Sequence, residues 1–431
     1  MNWDKSERGA STGLAREFVG VSADGRSEGT WIGVWLIYWT MFGLFSEAFY
    51  VYYKFEIKLF YLIVLLGLAA CLYIWDLRIN IYHVLALTCL AVSGAWGVSA
   101  GQVQLFTYIE QIVGITICST YFYIFLRNQP FGLVGIFETY AKAAYWVSLI
   151  GLIIVPFQSA IVGLFMPVRS FMREPTHFAS VVLPAAFYFV AKRNQGYKKE
   201  AWVTVLALLL SRSATGYLGL MLGTILLLKN RRNGIIAVLL ISITAIALYA
   251  FEPHFQIRVD DTIKAVTTVD VTGVNLSTYA LLSNAFVTAC ILQKHPLIGY
   301  GLGGHRVAHD EFIGDLPGSD TWDQESLEYN KNDADSLLLR TASELGLLGV
   351  LAEIFFIVTF FVRGNSEYAL INCAILLYFA TKLLRDGHWF SPEMYFFIWL
   401  YIFVALEHRR LGRKSAKQLQ PLRSPSLAFL Q

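Results

Sequence analysis

Charged residues are scarce in this chain of 431 residues. Asp, Glu, Lys and Arg make up 15% of it, whereas soluble proteins average about 25%. Apolar residues make up 56%, and they form runs of about 20 residues, the length of a membrane-spanning helix. These proportions exclude a soluble protein, and the continuous rather than alternating runs exclude a transmembrane β-barrel. The sequence therefore predicts an all-α polytopic membrane protein.

Cysteine is also rare, with five residues in the chain. Four of them, Cys71, Cys89, Cys118 and Cys373, lie within apolar runs, so neither a disulfide framework nor a metal site is predicted. The net charge of +3 is too small to favour a nucleic-acid partner. The first 30 residues lack the apolar core of a cleaved signal peptide and are predicted to be a retained tail.

Polar breaks divide the apolar residues into separate runs. These predict about twelve transmembrane helices, at 31–52, 58–75, 81–100, 104–126, 136–157, 176–192, 200–212, 213–229, 234–251, 337–362, 367–384 and 390–407. An orientation with both termini in the cytoplasm puts 20 of the 34 Lys and Arg residues on the inner side. The positive-inside rule favours this orientation.

The longest connection then lies on the outer side, at residues 252–336. It contains 13 Asp and Glu against five Lys and Arg, and connections of this length are usually functional. We predict a folded outer lid, with an amphipathic helix at 277–293 lying on the membrane surface. The predicted regions are a cytoplasmic tail (1–30), helices 1–9 (31–251), the outer loop (252–336), helices 10–12 (337–407) and a basic cytoplasmic tail (408–431).

Arg169 and Arg173 lie four residues apart, just before the predicted sixth helix. Pro175 suits the first turn of that helix, whose free N–H groups attract anions. The two arginines therefore predict a phosphate or diphosphate site at the membrane surface. The alternative is that they extend to lipid headgroups, with Glu174 paired to one of them.

Three further arginines are predicted on the outer side. Arg212 stands between two serines at the turn between helices, where a cation is costly unless it meets an anion. Arg258 follows the ninth helix and Arg340 opens the tenth. For Arg340 the leading alternative is a structural ion pair with Glu344, one turn later.

The outer loop contains the glycine-rich segment HPLIGYGLGGHR, residues 295–306. It satisfies the pattern GxGxxG, but no strand–helix–strand unit surrounds it, so a dinucleotide site is rejected. The glycines predict a tight backbone path that presents His305, a residue suited to act as a general base. Glu174 is the second choice for the base, and a solvated loop histidine is the alternative for His305. Asp333 and Asp335 are predicted to cap the tenth helix.

Four segments in this order resemble the bacterial O-antigen polymerase and O-antigen ligase superfamily, and more closely its polymerase (Wzy-type) branch. They are FMREPTHFA, SRSATGYLGL, HPLIGYGLGGHR and NDADSLLLRTASELGLLG. The resemblance covers roughly residues 165–363 and implies a GT-C-like architecture of about twelve helices, with a large periplasmic loop between helices 9 and 10.

The resemblance also implies an activity. A metal-independent glycosyltransferase without cofactors would join undecaprenyl-diphosphate-linked oligosaccharide units at the periplasmic face of the bacterial inner membrane. Its partners would be that substrate, membrane lipids and a chain-length-regulating co-polymerase. Outer arginines would hold the diphosphate and a loop histidine would activate the acceptor. These roles fall to Arg169, Arg173, Arg212, Arg258 and Arg340, and to His305.

Three other functions remain open at this point. A ligase would share the fold and the donor but transfer the glycan to a lipid A core or a protein. A transporter or flippase would suit twelve helices, although no internal repeat is visible and the outer loop is long. A glycan-binding protein would use outer aromatic residues, among them Tyr279, Tyr300, Trp322 and Tyr329, as sugar platforms.

Overall fold

A computed structural model describes most of the chain. The described residues are 27–53, 55–75, 79–163, 166–227, 253–387, 389 and 391–419, with isolated positions between 239 and 250. The predicted ninth helix at 234–251 lies almost wholly outside them. Most of the N-terminal tail also lies outside them, as do Arg78, Lys229, Arg231, Arg232 and Arg423 of the predicted inner side.

The described residues form helices and one small β-hairpin. The helices are α1 (Ser27–Leu44), α2 (Leu59–Ile74), α3 (Ile81–Ser99), α4 (Leu105–Asn128), α5 (Gly132–Val162), α6 (Pro175–Ala191), α7 (Lys198–Leu210), α8 (Ala214–Leu227), α9 (Pro253–Thr268), α10 (Leu276–Lys294), α11 (His305–Phe312), α12 (Gln324–Leu327), α13 (Leu337–Phe360), α14 (Glu367–Leu384) and α15 (Pro392–Leu419). The hairpin pairs β1 (Tyr50–Tyr53) with β2 (Phe55–Lys58).

Six of these helices are long and apolar enough to cross a membrane, namely α3, α4, α5, α10, α13 and α14. Four shorter apolar helices accompany them, at Trp31–Leu44, Leu59–Ile74, Pro175–Ala191 and Ala214–Leu227. The predicted class, an all-α polytopic membrane protein, is confirmed. Helix α10 occupies the position of the predicted surface helix, and its place at the membrane surface stays a prediction.

Two predicted boundaries are wrong. The first helix was expected to reach residue 52, but α1 ends at Leu44 and the next residues turn into the hairpin. Alternating residues in YVYY and FEIK suit a strand pair better than a continued helix. The last helix was expected to end near residue 407, but α15 continues to Leu419, because its basic residues still favour helix outside the membrane.

Helix α6 lies at the centre of the bundle. It packs against α5, α7, α8 and α14, and its side chains from Phe178 to Phe189 are buried. An α-helix that is apolar on all sides can only be stable when it is surrounded, which explains the apolar run FASVVLPAAFYF.

Contacts with distant parts of the chain lie at both ends of α6. At one end of the bundle, Lys192 of α6 lies 3.7 Å from Glu138 of α5 and also contacts Glu367 of α14. At the other end, the backbone of Ala48 donates to Phe171 over 2.9 Å. These contacts lie at opposite ends of α6, and the sidedness of the connections stays a prediction.

The glycine-rich segment packs against a break in α13. Helix α13 has a left-handed residue, Gly346, with φ of 64°. The break leaves backbone N–H and C=O groups on both sides of it without partners inside the helix. The segment 296–301 pairs with these groups through four hydrogen bonds of 2.8–3.1 Å. A Cβ atom on Gly346 would lie 2.4 Å from the backbone of Leu297, so this contact requires glycine at position 346.

Candidate functional site

Five connections meet at one end of the bundle, and we call their described residues the helix-end cluster. They are 45–53, 55–58, 166–174, 211–213, 329–336, 385–387, 389 and 391, together with the adjoining first or last turns of the helices. The backbone of Val168 donates to Leu210 over 3.1 Å, and that of Asp386 donates to Asp335 over 2.8 Å. This end contains most of the residues that the sequence analysis selected.

Arg169 and Arg173 are both exposed in the connection before α6. The Arg169 guanidinium donates to the backbone carbonyl of Arg173 over 3.3 Å, and the Arg173 guanidinium lies 5.7 Å from the ring centroid of Tyr50. The backbone N–H of Arg173 lies 3.4 Å from the carboxylate of Glu47. The two predicted arginines are therefore adjacent and accessible, and Arg173 contacts Tyr50 of the hairpin.

Arg212 lies in the neighbouring turn. It is exposed and has a left-handed backbone, with φ of 52°. The hydroxyl of Ser213 lies 3.5 Å from that of Thr176 in the first turn of α6. The Arg212 turn therefore lies beside the helix N-terminus that follows Arg169 and Arg173.

A buried network of charges lies beneath these arginines. The imidazole of His177 is 2.8 Å from the Glu47 carboxylate through Nδ1 and 3.7 Å from Asp386 through Nε2. Lys382 contacts Asp386 and lies 3.2 Å from Glu393. Helices α6, α14 and α15 supply His177, Lys382 and Glu393, whereas Glu47 and Asp386 lie just after α1 and α14. Each buried charge faces an opposite charge, as burial in a membrane protein requires.

Arg385 connects this network to the outer loop. Its guanidinium contacts the Asp335 carboxylate and the hydroxyl of Ser277. Burial raises the pKa of Asp335 to about 7. The positive charge of Arg385 lowers this pKa and the negative charge of Asp333 raises it, but burial is the largest effect. Loss of surrounding water and the nearby Arg385 charge lower the pKa of Arg258, so these two cations lie close enough to repel.

Glu174 is exposed at the start of α6. Burial, followed by the carboxylates of Glu174, Asp335 and Asp333, raises the pKa of Tyr329. The negative charges of Glu174 and of the loop carboxylates therefore both act on Tyr329. The arrangement leaves Glu174 accessible next to Arg173, as a base at a substrate site must be.

Backbone strain is concentrated in the same place. Among the described residues, seven that are not glycine have a left-handed backbone. Six of these belong to the helix-end cluster: Ser170, Arg212, Asn330, Ala334, Asp335 and Asp386. Strained residues of this kind collect at functional sites, where the surrounding structure compensates for their cost.

Comparison with known proteins gives one family match. Residues 201–354 match the family model described as O-antigen ligase. Over these residues the chain is similar to the O-antigen ligase family. The predicted resemblance to the O-antigen polymerase and ligase superfamily is thereby confirmed. A search of curated proteins gives no match.

The matched segment, residues 201–354, covers only part of the helix-end cluster. Arg212, Arg258, His305 and Arg340 lie within the matched residues. The connection with Arg169 and Arg173 precedes them, and α14 and α15 follow them. The matched segment therefore needs the flanking helices to complete the site.

Two predicted site residues within the matched segment are buried rather than open. Arg340 is 2% exposed, and its guanidinium donates to Glu344 over 3.1 Å and to the Gly387 carbonyl over 3.0 Å. This is the structural ion pair that stood as the alternative. We therefore leave Arg340 out of the proposed diphosphate site.

His305 is fully buried at the start of α11. Its Nε2 is 2.8 Å from the side-chain oxygen of Asn284, and its Nδ1 is 2.9 Å from the Ser343 hydroxyl. The amide nitrogen of Asn284 donates to Ala280, which leaves the Asn284 oxygen to accept from Nε2–H. Because both ring nitrogens are engaged, this conformation favours a positioning role, and the predicted role as a general base stays untested.

Other predictions for the loop also change. Ser336, not Asp333 or Asp335, caps α13, because its hydroxyl accepts from Leu339 N–H. The proposed sugar platforms Tyr279 and Tyr300 are buried, with exposed fractions of 0% and 3%. Burial of the two tyrosines follows from their packing inside this segment, in the clusters around α10.

The pH dependence of stability is expected to reveal the buried state of His305. Burial, together with His309 and Arg340, lowers the pKa of His305 to about 3. An unfolded histidine takes up a proton below about pH 6.5, whereas the buried one does not, so this group lowers the free energy of unfolding as the pH falls from about 6.5 toward 3. Between pH 6.5 and 5 the loss is about 2 kcal/mol.

Thermal unfolding in detergent at pH 7 and pH 5 measures this effect. The difference between the two melting temperatures should shrink in His305→Gln. It should persist in the control His295→Gln, which removes a half-buried histidine of the same loop. An undiminished difference in His305→Gln would contradict the buried neutral state.

Proposed function

We propose that the protein is a membrane-embedded glycosyltransferase that polymerises undecaprenyl-diphosphate-linked oligosaccharide repeat units. The observation that carries the proposal is the helix-end cluster, where exposed arginines lie over a buried charge network next to the segment similar to the O-antigen ligase family. The proposed location is the periplasmic face of the bacterial inner membrane. The outer loop, both cytoplasmic termini and a chain-length-regulating co-polymerase belong to the same proposal.

The donor diphosphate binds to Arg169, Arg173 and Arg212 in this proposal, with Arg258 at the edge of the site. A diphosphate leaves only when its developing negative charge is stabilised, and preorganised arginines supply that stabilisation. The N-terminus of α6 adds a partial positive charge in the same direction. Metal independence is part of the proposal, and added chelator tests it.

The acceptor side requires a base that reaches a sugar hydroxyl. Glu174 is exposed beside Arg173 and is the accessible choice in this conformation. The base takes the proton of the acceptor hydroxyl, the hydroxyl oxygen bonds to the anomeric carbon, and the bond from that carbon to the diphosphate breaks. The charge network of Glu47 and His177 positions the Arg173 backbone and so fixes the distance between donor and base.

Product analysis tests the proposal directly. Purified protein in nanodiscs is incubated with the lipid-diphosphate repeat unit alone, with and without a chelator, and the glycans are separated by size. We expect a ladder of repeat multiples and release of lipid diphosphate in both conditions. Transfer only after addition of lipid A core would establish the ligase, and no transfer to either acceptor would refute a glycosyltransferase. Loss of the ladder with chelator alone would refute metal independence.

A further inference from the structure

An exposed row of aromatic rings leads from the side of the helix bundle to Arg173. We call Trp39, Phe42, Phe49 and Phe171 the aromatic stripe. Successive ring centroids lie 6.3 Å, 6.2 Å and 5.7 Å apart. The stripe starts on the outward face of α1, follows the turn after that helix and ends two residues before Arg173.

The stripe continues into an apolar groove at its other end. The groove lies between α1 and α2, has a volume of about 210 Å³ and shares Trp39 with the stripe. Trp35 forms one wall, and the small residues Gly67 and Ala70 lie on the opposite helix. An apolar cavity of about 150 Å³ already holds a benzene molecule, so the groove has room for a segment of a hydrocarbon chain.

From the continuity of these features we propose that the groove and the aromatic stripe bind the isoprenoid chain of a polyprenyl diphosphate. The proposal rests on the proposed function, because it places the diphosphate of the same lipid at Arg173. The groove and stripe together form one continuous apolar path that ends at a cationic site. This matches a lipid with one linear chain and one charged end.

The shape of the path favours this lipid over a phospholipid. The stripe is one ring wide, which fits a single chain, whereas a phospholipid carries two. Its rings are exposed, with fractions of 38% for Trp39, 45% for Phe42 and 42% for Phe49. Flat aromatic faces gain dispersion contacts from the methyl groups of an isoprenoid chain.

The energetic role of the stripe differs from that of the arginines. The chain makes the same contacts before and during the reaction, because the reacting bonds lie at the diphosphate end. Such uniform binding lowers KM and leaves kcat unchanged. Removing two rings is therefore expected to raise KM about tenfold or more, with little change in kcat.

Photolabelling tests the proposal independently of turnover. The full-length protein in nanodiscs is irradiated with a benzophenone-bearing farnesyl diphosphate, and the labelled residues are identified by mass spectrometry. We expect labels between Trp35 and Phe49 that unlabelled polyprenyl diphosphate removes by competition. The double variant Phe42→Ala/Phe49→Ala should lose about nine-tenths of the label, because each ring contributes apolar contact area.

A matched variant controls for general effects on membrane insertion. Trp96 is 56% exposed at the end of α3, so Trp96→Ala removes an exposed aromatic residue outside the stripe and should keep full labelling. Thermal unfolding checks that the double variant remains folded, as expected for exposed positions. If the double variant does not fold, the single variant Phe42→Leu is tested in its place, and a smaller loss of label is expected.

Several results would overturn the proposal. One is labelling confined to other helices while polymerisation proceeds. That result would refute the role of the aromatic stripe in lipid binding and leave the proposed function intact. Another is equal labelling of the stripe by a benzophenone-bearing phosphatidylglycerol that polyprenyl diphosphate does not displace, since the stripe would then be an ordinary lipid-facing surface. Absence of any bound probe would refute both the lipid-binding role of the stripe and the use of a lipid-diphosphate donor. Competed labelling of the stripe without glycan transfer would support the stripe and refute the proposed function.

Discussion

Replacing Arg173 by alanine is expected to slow glycan transfer about 10²–10³-fold while the protein still folds and inserts. Loss of one preorganised donor to a developing negative charge costs about 2.7–4 kcal/mol of transition-state stabilisation. The Arg173 side chain is exposed, so its removal creates no buried cavity. The measurement is the rate of lipid-diphosphate release by purified protein, with thermal unfolding as the check on folding.

Two further variants sharpen this experiment. Arg173→Lys keeps the charge but loses the two-pronged geometry, so an intermediate rate is expected. Arg410→Ala removes an exposed arginine that lies 3.3 Å from Glu407 on α15, outside the helix-end cluster, and should leave the rate unchanged. Wild-type rates and chain lengths in Arg173→Ala would refute its role as a diphosphate ligand.

Replacing Lys382 by methionine is expected to destabilise the protein by about 3–5 kcal/mol, because it leaves buried carboxylates without their cation. The Lys382 side chain is 1% exposed, and those of Asp386 and Glu393 are 3% and 4% exposed. Methionine fills a similar volume, so lost charge rather than lost packing dominates the change. Thermal unfolding in detergent and the amount of folded protein in the membrane measure the effect.

Partial rescue distinguishes the electrostatic cause from a packing defect. The double variant Lys382→Met/Glu393→Gln removes one of the two uncompensated charges and should regain part of the lost stability. Lys294→Met, which breaks the exposed pair with Glu311, should change stability by less than about 1 kcal/mol; its two side chains are 51% and 44% exposed. A double variant no more stable than Lys382→Met would point to packing instead.

The membrane-spanning architecture follows from the sequence because burial in lipid imposes a strong requirement on length and composition. Apolar runs such as 81–100, 104–126 and 367–384 predicted α3, α4 and α14 within a few residues. The segment 253–336 contains the helices α9 to α12, and its place as an outer lid stays a prediction. The hairpin at 50–58 was missed, because an apolar strand pair and the end of an apolar helix have nearly the same composition.

The charge network could not be assembled from the sequence, because its members come from distant helices. Glu47, His177 and Asp386 become neighbours only when α1, α6 and α14 pack together. One signal was present: Glu47 and Lys382 are ionisable residues inside predicted spans, and such residues usually have a functional or structural partner. The sequence analysis used neither of them.

The orientation of His305 depends on a feature that no local pattern revealed. The run LLLRTASELGLLGVLAE reads as one continuous helix, yet Gly346 interrupts it. The glycine-rich segment binds that interruption and turns His305 toward Asn284 and Ser343. The glycines thus correctly predicted a tight backbone path. The direction of that path depends on the break in α13, which the sequence pattern did not predict.

The break in α13 also constrains the order of biogenesis. The N–H groups of Leu347 and Leu348 receive their acceptors from Pro296 and Leu297, which leave the ribosome earlier and belong to the outer loop. In the proposed orientation the loop must cross the membrane and fold before these groups are satisfied, and until then α13 carries unsatisfied polar groups that hydrocarbon does not tolerate. Under that proposal, translocation of the loop and completion of the tenth predicted span are one cooperative event, and a defect in either is expected to expose the chain to membrane quality control.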